Sequence, residues 1–322
     1  MAGFGASKEK ELAEEAAAET AATPAHKRGT SDPFADLRAE YQQLHKQGPK
    51  THIFMALVGH ENTGKTGIVY DYFHKYCDKE EGQTKTLAVI DFDGGGAATK
   101  SAFYPNNDNI RCFEPWVMQQ GDRTAYDYPA THDRVMSIMQ FLLSEHETVW
   151  GVHVTGVDLW DSICTNNMRI ADLGLAKDGI DAADNRGAGT GRRVEYQWDW
   201  AIRTTRFHQL TALCRALVKR GVRVFWETHL KLTNYTAGAA DSSRAEWRPA
   251  WEKASNNYMY QIVLCERNDL RGEEGEVIRS EFTATFEKSK TDASLQGQKS
   301  TVLITEQGKH PNWMGLPELD KL

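Results

Sequence analysis

Between an apolar run, Ile53-Phe54-Met55-Ala56-Leu57-Val58, and the helix-compatible residues 67–75 stands Gly59-His60-Glu61-Asn62-Thr63-Gly64-Lys65-Thr66, the pattern G-x-x-x-x-G-K-T. Residues of these types at this spacing can hold phosphate. The glycines let successive backbone N–H groups turn toward one anion, the Lys65 ammonium reaches further oxygens, and the Thr66 hydroxyl is a ligand for Mg2+. A helix starting near Gly64 adds the positive end of its dipole. Residues 59–67, with Gly67 the last, are therefore the expected nucleotide-binding segment, and ATP and Mg2+ the expected cofactors.

Phosphoryl hydrolysis also needs a carboxylate on the metal and a group that orients or deprotonates water. In a parallel sheet both belong at the C-terminal ends of strands near the loop. An expected strand at 85–91 closes in Asp91-Phe92-Asp93-Gly94-Gly95-Gly96. Asp93, on the same side as Asp91, is the candidate for the water; a D-G turn capped by its own aspartate is the alternative. A second strand, expected at 148–158, ends in Asp158, the candidate metal carboxylate. Asp161 competes with it, although a strand reaching that far would run to about thirteen residues, long for a globular sheet. A third strand, 222–228, runs into Trp226-Glu227-Thr228-His229-Leu230-Lys231. His229 there either senses a γ-phosphate or bonds to neighbouring backbone.

The patterning supplies a scaffold for these residues. Strands at 51–58, 85–91, 148–158 and 222–228 alternate with helices, among them 131–144, with Val135, Ile138, Met139 and Leu142 on one stripe, and 193–220. That alternation defines an α/β fold class, a mostly parallel sheet with helices on both faces. After Trp251 three strand-like segments, 258–265, 277–288 and 300–305, form a β-meander appended to the sheet or extending it. Residues 1–31, rich in Ala and Glu and then broken by Thr23-Pro24 and Gly29-Thr30-Ser31, read as a flexible tail. A helix at 32–50 aligns Phe34, Leu37, Tyr41 and Leu44, a stripe that packs on its own domain or docks on a neighbouring subunit. The expected division is thus tail 1–31, helix 32–50, core 51–250 and C-terminal strands 251–322.

Composition sets outer bounds. A chain of 322 residues can form one large domain with appendages, and a net charge of -7 creates no global field to attract nucleic acid. Cys77, Cys112, Cys164, Cys214 and Cys265 are far apart without a C-x-x-C pair, which argues against a zinc site and a disulfide framework. No apolar run approaches the roughly 20 residues that span a bilayer, and the N-terminus lacks a signal-peptide core, so a cytoplasmic protein without membrane contact is expected.

A phosphate loop, D-F-D-G-G after the next strand, an apolar strand ending in Asp, then a helix and a strand running into T-H-L-K together resemble the RecA-like ATPase core over residues 51–305. The resemblance is nearest to the phage and archaeal-virus single-strand-annealing ATPases. It implies a prokaryotic or virus-encoded, DNA-dependent ATPase that binds single-stranded DNA and promotes annealing or homologous recombination. It also implies a homo-oligomeric ring or filament, with a single-strand-binding protein or a nuclease as further partners. In the family the position of Asp93 is usually a glutamate, one methylene longer. Asp161-Ser162 resembles the D-S pair that closes the magnesium strand of many relatives. Phe286-Glu287-Lys288-Ser289-Lys290 resembles a segment whose basic residue reaches the neighbouring subunit's nucleotide, which nominates Lys288 and Lys290. Two loops of the family hold single strands, and their counterparts here are 174–193, with Arg186, Arg192 and Arg193, and 232–248, with Tyr235, Arg244 and Trp247, next to Lys231. Such residues suit phosphates and stacked bases. Two other functions share the same motifs: a viral DNA-packaging or translocating motor, and a regulatory ATPase that needs no nucleic acid, which the acidic net charge favours.

Overall fold

The computed structural model describes Arg38 and residues 53–79, 85–172, 197–234 and 245–322. The described residues from 53 onward belong to one compact unit. The tail and helix expected at the N-terminus lie outside the described residues, except for Arg38, which is helical and exposed.

From residue 54 strands and helices alternate: β1 (Phe54–Gly59), α1 (Lys65–Lys79), β2 (Thr86–Asp91), α2 (Gly95–Phe103) and β3 (Ile110–Phe113). A hairpin, β4 (Met118–Gln119) and β5 (Asp122–Tyr126), precedes α3 (Tyr128–Ser144), β6 (Val149–Thr155) and α4 (Val157–Asn167), which ends in a π-helical turn, Met168–Asp172. Then come α5 (Gln197–Lys219), β7 (Arg223–Asn234), β8 (Ala245–Pro249) and the short α6 (Ser255–Tyr258). The chain closes with β9 (Gln261–Arg271), β10 (Val277–Ser289), β11 (Lys299–Glu306) and β12 (Asn312–Trp313).

Among the described residues the main sheet has the order β12-β11-β10-β9-β1-β7-β6-β2-β3, with β8 paired to the far half of β7. The strands from β9 to β3 are mutually parallel, whereas β10, β11 and β12 are antiparallel. The molecule is therefore α/β, with a mostly parallel central sheet and antiparallel C-terminal strands. β1, β2 and β6 are buried along their whole length, as expected of parallel strands covered on both faces. The alternation of side chains divides two cores. Phe54, Ala56, Val152, Val154, Val224 and Trp226 face α3, α4 and α5, whose Val135, Trp160 and Phe207 complete one cluster. Met55, Leu57, Leu87, Val89 and Phe225 face the opposite way, onto Ile68, Val69 and Phe73 of α1.

Several expected boundaries shift, each for a local reason. The strand expected at 148–158 stops at Thr155, because Gly156 takes φ 61 and turns the chain into α4. Asp158 thus lies in the first turn of that helix and Asp161 a turn further on. The glycines after Asp93 open α2, with Gly94 at φ 75 as its N-cap. β7 continues through Thr-His-Leu-Lys to Asn234 because β8 supplies a partner for the extension, so His229 is inside the strand. β9 is a parallel strand lodged against β1, within the central sheet. Cys112, Cys164, Cys214 and Cys265 are free thiols. No helix among the described residues is long and apolar enough to cross a membrane.

Candidate functional site

Strand alternation decides which polar residues meet. Asp91, Thr155, Glu227 and His229 occupy the same side of the sheet as the α1-facing core, at the ends where β2, β6 and β7 approach the segment 59–66. In β1 the pairing aligns Leu57 with Glu227 and Gly59 with His229, so β7 brings two polar side chains against the base of that segment. On the other flank Gly59 packs so closely on β9 that an added Cβ would come within 2.3 Å of the Cys265 carbonyl oxygen. Asn62 takes φ 56, a left-handed conformation that asparagine tolerates better than most residues.

The segment itself is tightly organised. Lys65 is 6 % exposed, and its Nζ donates to the His60 carbonyl at 2.8 Å. The same ammonium lies 3.4 Å from Gly59 O and 3.5 Å from Thr63 Oγ1, so it sits over the loop backbone. α1 begins at Lys65 and directs its N-terminal N–H groups into the loop. Thr66, in the first turn, donates its hydroxyl to Glu227 Oε2 at 3.1 Å. Gly67 leaves room for the indole of Trp313, which lies where a Cβ would be.

The two aspartates after β2 have different surroundings. Asp91 is buried and saturated: Oδ1 accepts from Gly96 N (3.1 Å) and Thr155 Oγ1 (2.9 Å), and Oδ2 from Ala97 N (2.7 Å). It caps α2. Asp93 is exposed; its Oδ1 accepts from Gly95 N at 3.0 Å and lies 2.9 Å from Thr155 Oγ1, whose single proton it shares with Asp91 Oδ1, while Oδ2 has no hydrogen bond among the described residues. One oxygen of Asp93 thus closes the turn with Gly95, as the turn alternative expects, in a side chain that is otherwise exposed.

Asp158 and Asp161 also part company. The Nδ1 of His229 lies 3.4 Å from each carboxylate oxygen of Asp158. This contact, opposed by burial and by the charge of Lys65, raises the pKa of His229. Asp161 instead pairs with Arg203 of α5. Burial raises the pKa of Asp161 against the pull of Arg203 and Lys231. The segment 59–66, Asp93, Asp158 and His229 are thus brought together, and Asp161 is engaged elsewhere.

Lys288 and Lys290 lie at the other end of the sheet. Lys288 pairs with Ile262, level with Ala56 of β1, and Lys290 N bonds to Tyr260 O beyond it. Their ammonium groups donate to the carbonyls of Asn256 and Asn257. Burial, and then the charge of Lys290, lowers the pKa of Lys288. Of the residues nominated for DNA, Arg186, Arg192, Arg193, Tyr235 and Arg244 lie outside the described residues. Lys231 is exposed on β7, and beside it Leu232 pairs with Trp247, whose ring meets His60 edge-on at a centroid distance of 4.6 Å.

Sequence reasoning missed Glu227, Thr155 and His153. Glu227 is 4 % exposed, and His153 Nε2 lies 2.6 Å from its Oε1, off the line of a well-formed hydrogen bond. The fully buried His153 ring stands edge-on to Tyr70 and Phe225. The signal was present: a single acid in the otherwise apolar run Val-Phe-Trp-Glu-Thr, two residues before a histidine on the same face. No group of three or more His, Cys, Asp or Glu that could hold a metal occurs among the described residues. Mg2+ needs no such cage, since one or two protein oxygens suffice when phosphates and water complete the octahedron. The Thr66 hydroxyl with neighbouring carboxylates fits that requirement.

The chain matches no protein-family model and no curated protein.

Proposed function

We propose that the protein binds ATP with Mg2+ at residues 59–67 and hydrolyses it, as a RecA-like ATPase acting on single-stranded DNA in annealing or recombination. The observation that carries the ATPase reading is convergence. A G-x-x-x-x-G-K-T loop at the N-terminus of α1 meets Thr66–Glu227, Asp93–Thr155 and Asp158–His229 at one end of a parallel sheet. In this reading the backbone amides of the loop and Lys65 hold the β- and γ-phosphates. When bound, Mg2+ neutralises charge on the phosphate oxygens. Asp93, with one oxygen held by the Gly95 amide in an otherwise exposed side chain, orients the attacking water, and His229, beside Gly59, senses the terminal phosphate.

The DNA part of the proposal rests on the resemblance and on the exposed ribbon of β7 and β8, where Lys231, Leu232 and Trp247 offer a charge and apolar surfaces beside the loop. The test is ATP turnover measured without nucleic acid, with single-stranded DNA and with duplex DNA. Stimulation by single strands supports the proposal. Stimulation by duplex alone points to a translocating motor, and indifference to both leaves a regulatory ATPase. Absence of ATP binding and turnover in all three removes the ATPase reading.

A further inference from the structure

Given the nucleotide-binding reading above, on which this inference rests, the strand that should carry the metal carboxylate does not do so. β6 ends in Thr155, whose hydroxyl is committed to Asp91 and Asp93. Asp158, beyond the turn at Gly156, faces His229, and Asp161 faces Arg203. The carboxylate that touches the metal-ligating threonine comes from the neighbouring strand: Glu227 Oε2 accepts the Thr66 hydroxyl at 3.1 Å.

We propose that Glu227 and Thr66 together hold the divalent cation of the bound nucleotide. Three observations point this way. First, Glu227 is on β7, which pairs directly with β1, and Leu57 opposite it stands two residues before the loop begins. Second, a carboxylate that is 4 % exposed in an apolar strand is costly to keep there unless something compensates its charge. Among the described residues no Arg or Lys pairs with it, and its polar neighbours are a threonine hydroxyl and an imidazole. A divalent cation at Thr66 supplies that compensation. Third, a threonine hydroxyl that donates its proton to a carboxylate keeps its lone pairs for a cation, so the observed bond aims the Thr66 oxygen for that purpose.

Glu227→Gln separates this role from a structural one, because the amide keeps the size of the side chain and can still accept from Thr66 while losing the charge. The probe is a non-hydrolysable ATP analogue, with its binding measured calorimetrically in EDTA and across a MgCl2 titration. Wild type should bind more tightly as Mg2+ rises. Glu227→Gln should match wild type in EDTA but need about 10–100-fold more Mg2+ for half-maximal tightening, the loss typical when a metal site loses a ligand or its supporting partner. Asp161→Asn, at a residue paired with Arg203 outside the site, should keep the wild-type Mg2+ midpoint. If Glu227→Gln keeps the wild-type midpoint while Asp158→Asn or Asp93→Asn shifts it, the assignment is overturned and the nucleotide reading stands. If wild type binds no nucleotide in either condition, the nucleotide reading falls and takes this assignment with it. Should Glu227→Gln fold poorly by circular dichroism, Glu227→Asp serves instead. It keeps the charge but withdraws it by one methylene, so a raised Mg2+ midpoint supports the proposal and an unchanged one overturns it.

Discussion

Asp91 and Asp93 are two residues apart, yet they should fail in different ways when changed. Asp91 satisfies two amides at the start of α2, so Asp91→Asn, whose NH2 would face one of those buried donors, should cost about 1–3 kcal/mol in urea unfolding, the scale for a buried donor left unsatisfied. Asp93→Asn should leave stability nearly unchanged and retain ATP, but lower turnover by about 10²–10⁴-fold, the range for loss of a group that activates water. Wild-type turnover from Asp93→Asn beside an inactive but folded Asp91→Asn would reverse the two roles. Lys65→Ala should lower hydrolysis by about 10²–10³-fold, the scale for removing one charge-stabilising donor, with the circular dichroism of the fold preserved. Normal turnover by a folded Lys65→Ala protein would discredit the loop as the reaction site. The His229–Asp158 contact gives a pH dependence. Because the folded protein raises the His229 pKa above its ordinary 6.5, the stabilisation is complete below that value and fades as pH rises through the raised one. The difference in Tm between wild type and Asp158→Asn should therefore be largest near about pH 6 and shrink toward about pH 8. A difference that grows with pH would contradict the assignment.

Elements were legible where periodicity is strong and obscure where one glycine or a distant partner decides. β1, β2 and α3 are continuous or striped apolar runs, and they fall within a few residues of where patterning puts them. Gly156 is different. Nothing in Val-Thr-Gly-Val-Asp reveals that the glycine takes φ 61 and ends β6, yet that turn moves Asp158 off the strand and leaves Thr155 facing the aspartates. Gly156→Ala should be destabilising by about 1–2 kcal/mol, since the left-handed region is unfavourable for a side chain. Its Cβ would also meet Asp93 and Phe92 at 3.3 Å. Thermal unfolding measures the cost, and a neutral effect would show that the turn relaxes without strain. The extension of β7 was equally hidden, because it depends on pairing with β8, eleven or more residues away in the chain. The turn between β1 and α1 was legible from the glycine spacing alone. Glu227 was not, because a lone acid in an apolar strand gains meaning only when α1 is seen to bring Thr66 against it.

At the scale of the whole molecule, Lys288 and Lys290 sit at the end of the sheet away from residues 59–66, so within one subunit they cannot serve that subunit's own loop. Their proposed role requires a neighbour. Mixing a Lys288→Ala/Lys290→Ala protein with Lys65→Ala, each inactive alone, should restore part of the ATPase activity, because some interfaces would pair an intact loop with intact lysines. If co-assembled mixtures stay inactive, the lysines act only as caps for the Asn256 and Asn257 carbonyls. One further feature has an optical side. The ribbon that begins with Glu227 and His229 returns through β8 to rest Trp247 against His60, so a single stretch of chain touches the loop on two sides. The Trp247 indole is half exposed and leans on a loop residue, which makes it a built-in lamp: whatever fills the loop changes the polarity around that ring. The emission of wild type minus that of Trp247→Phe would then read occupancy directly, without a label and without waiting for turnover.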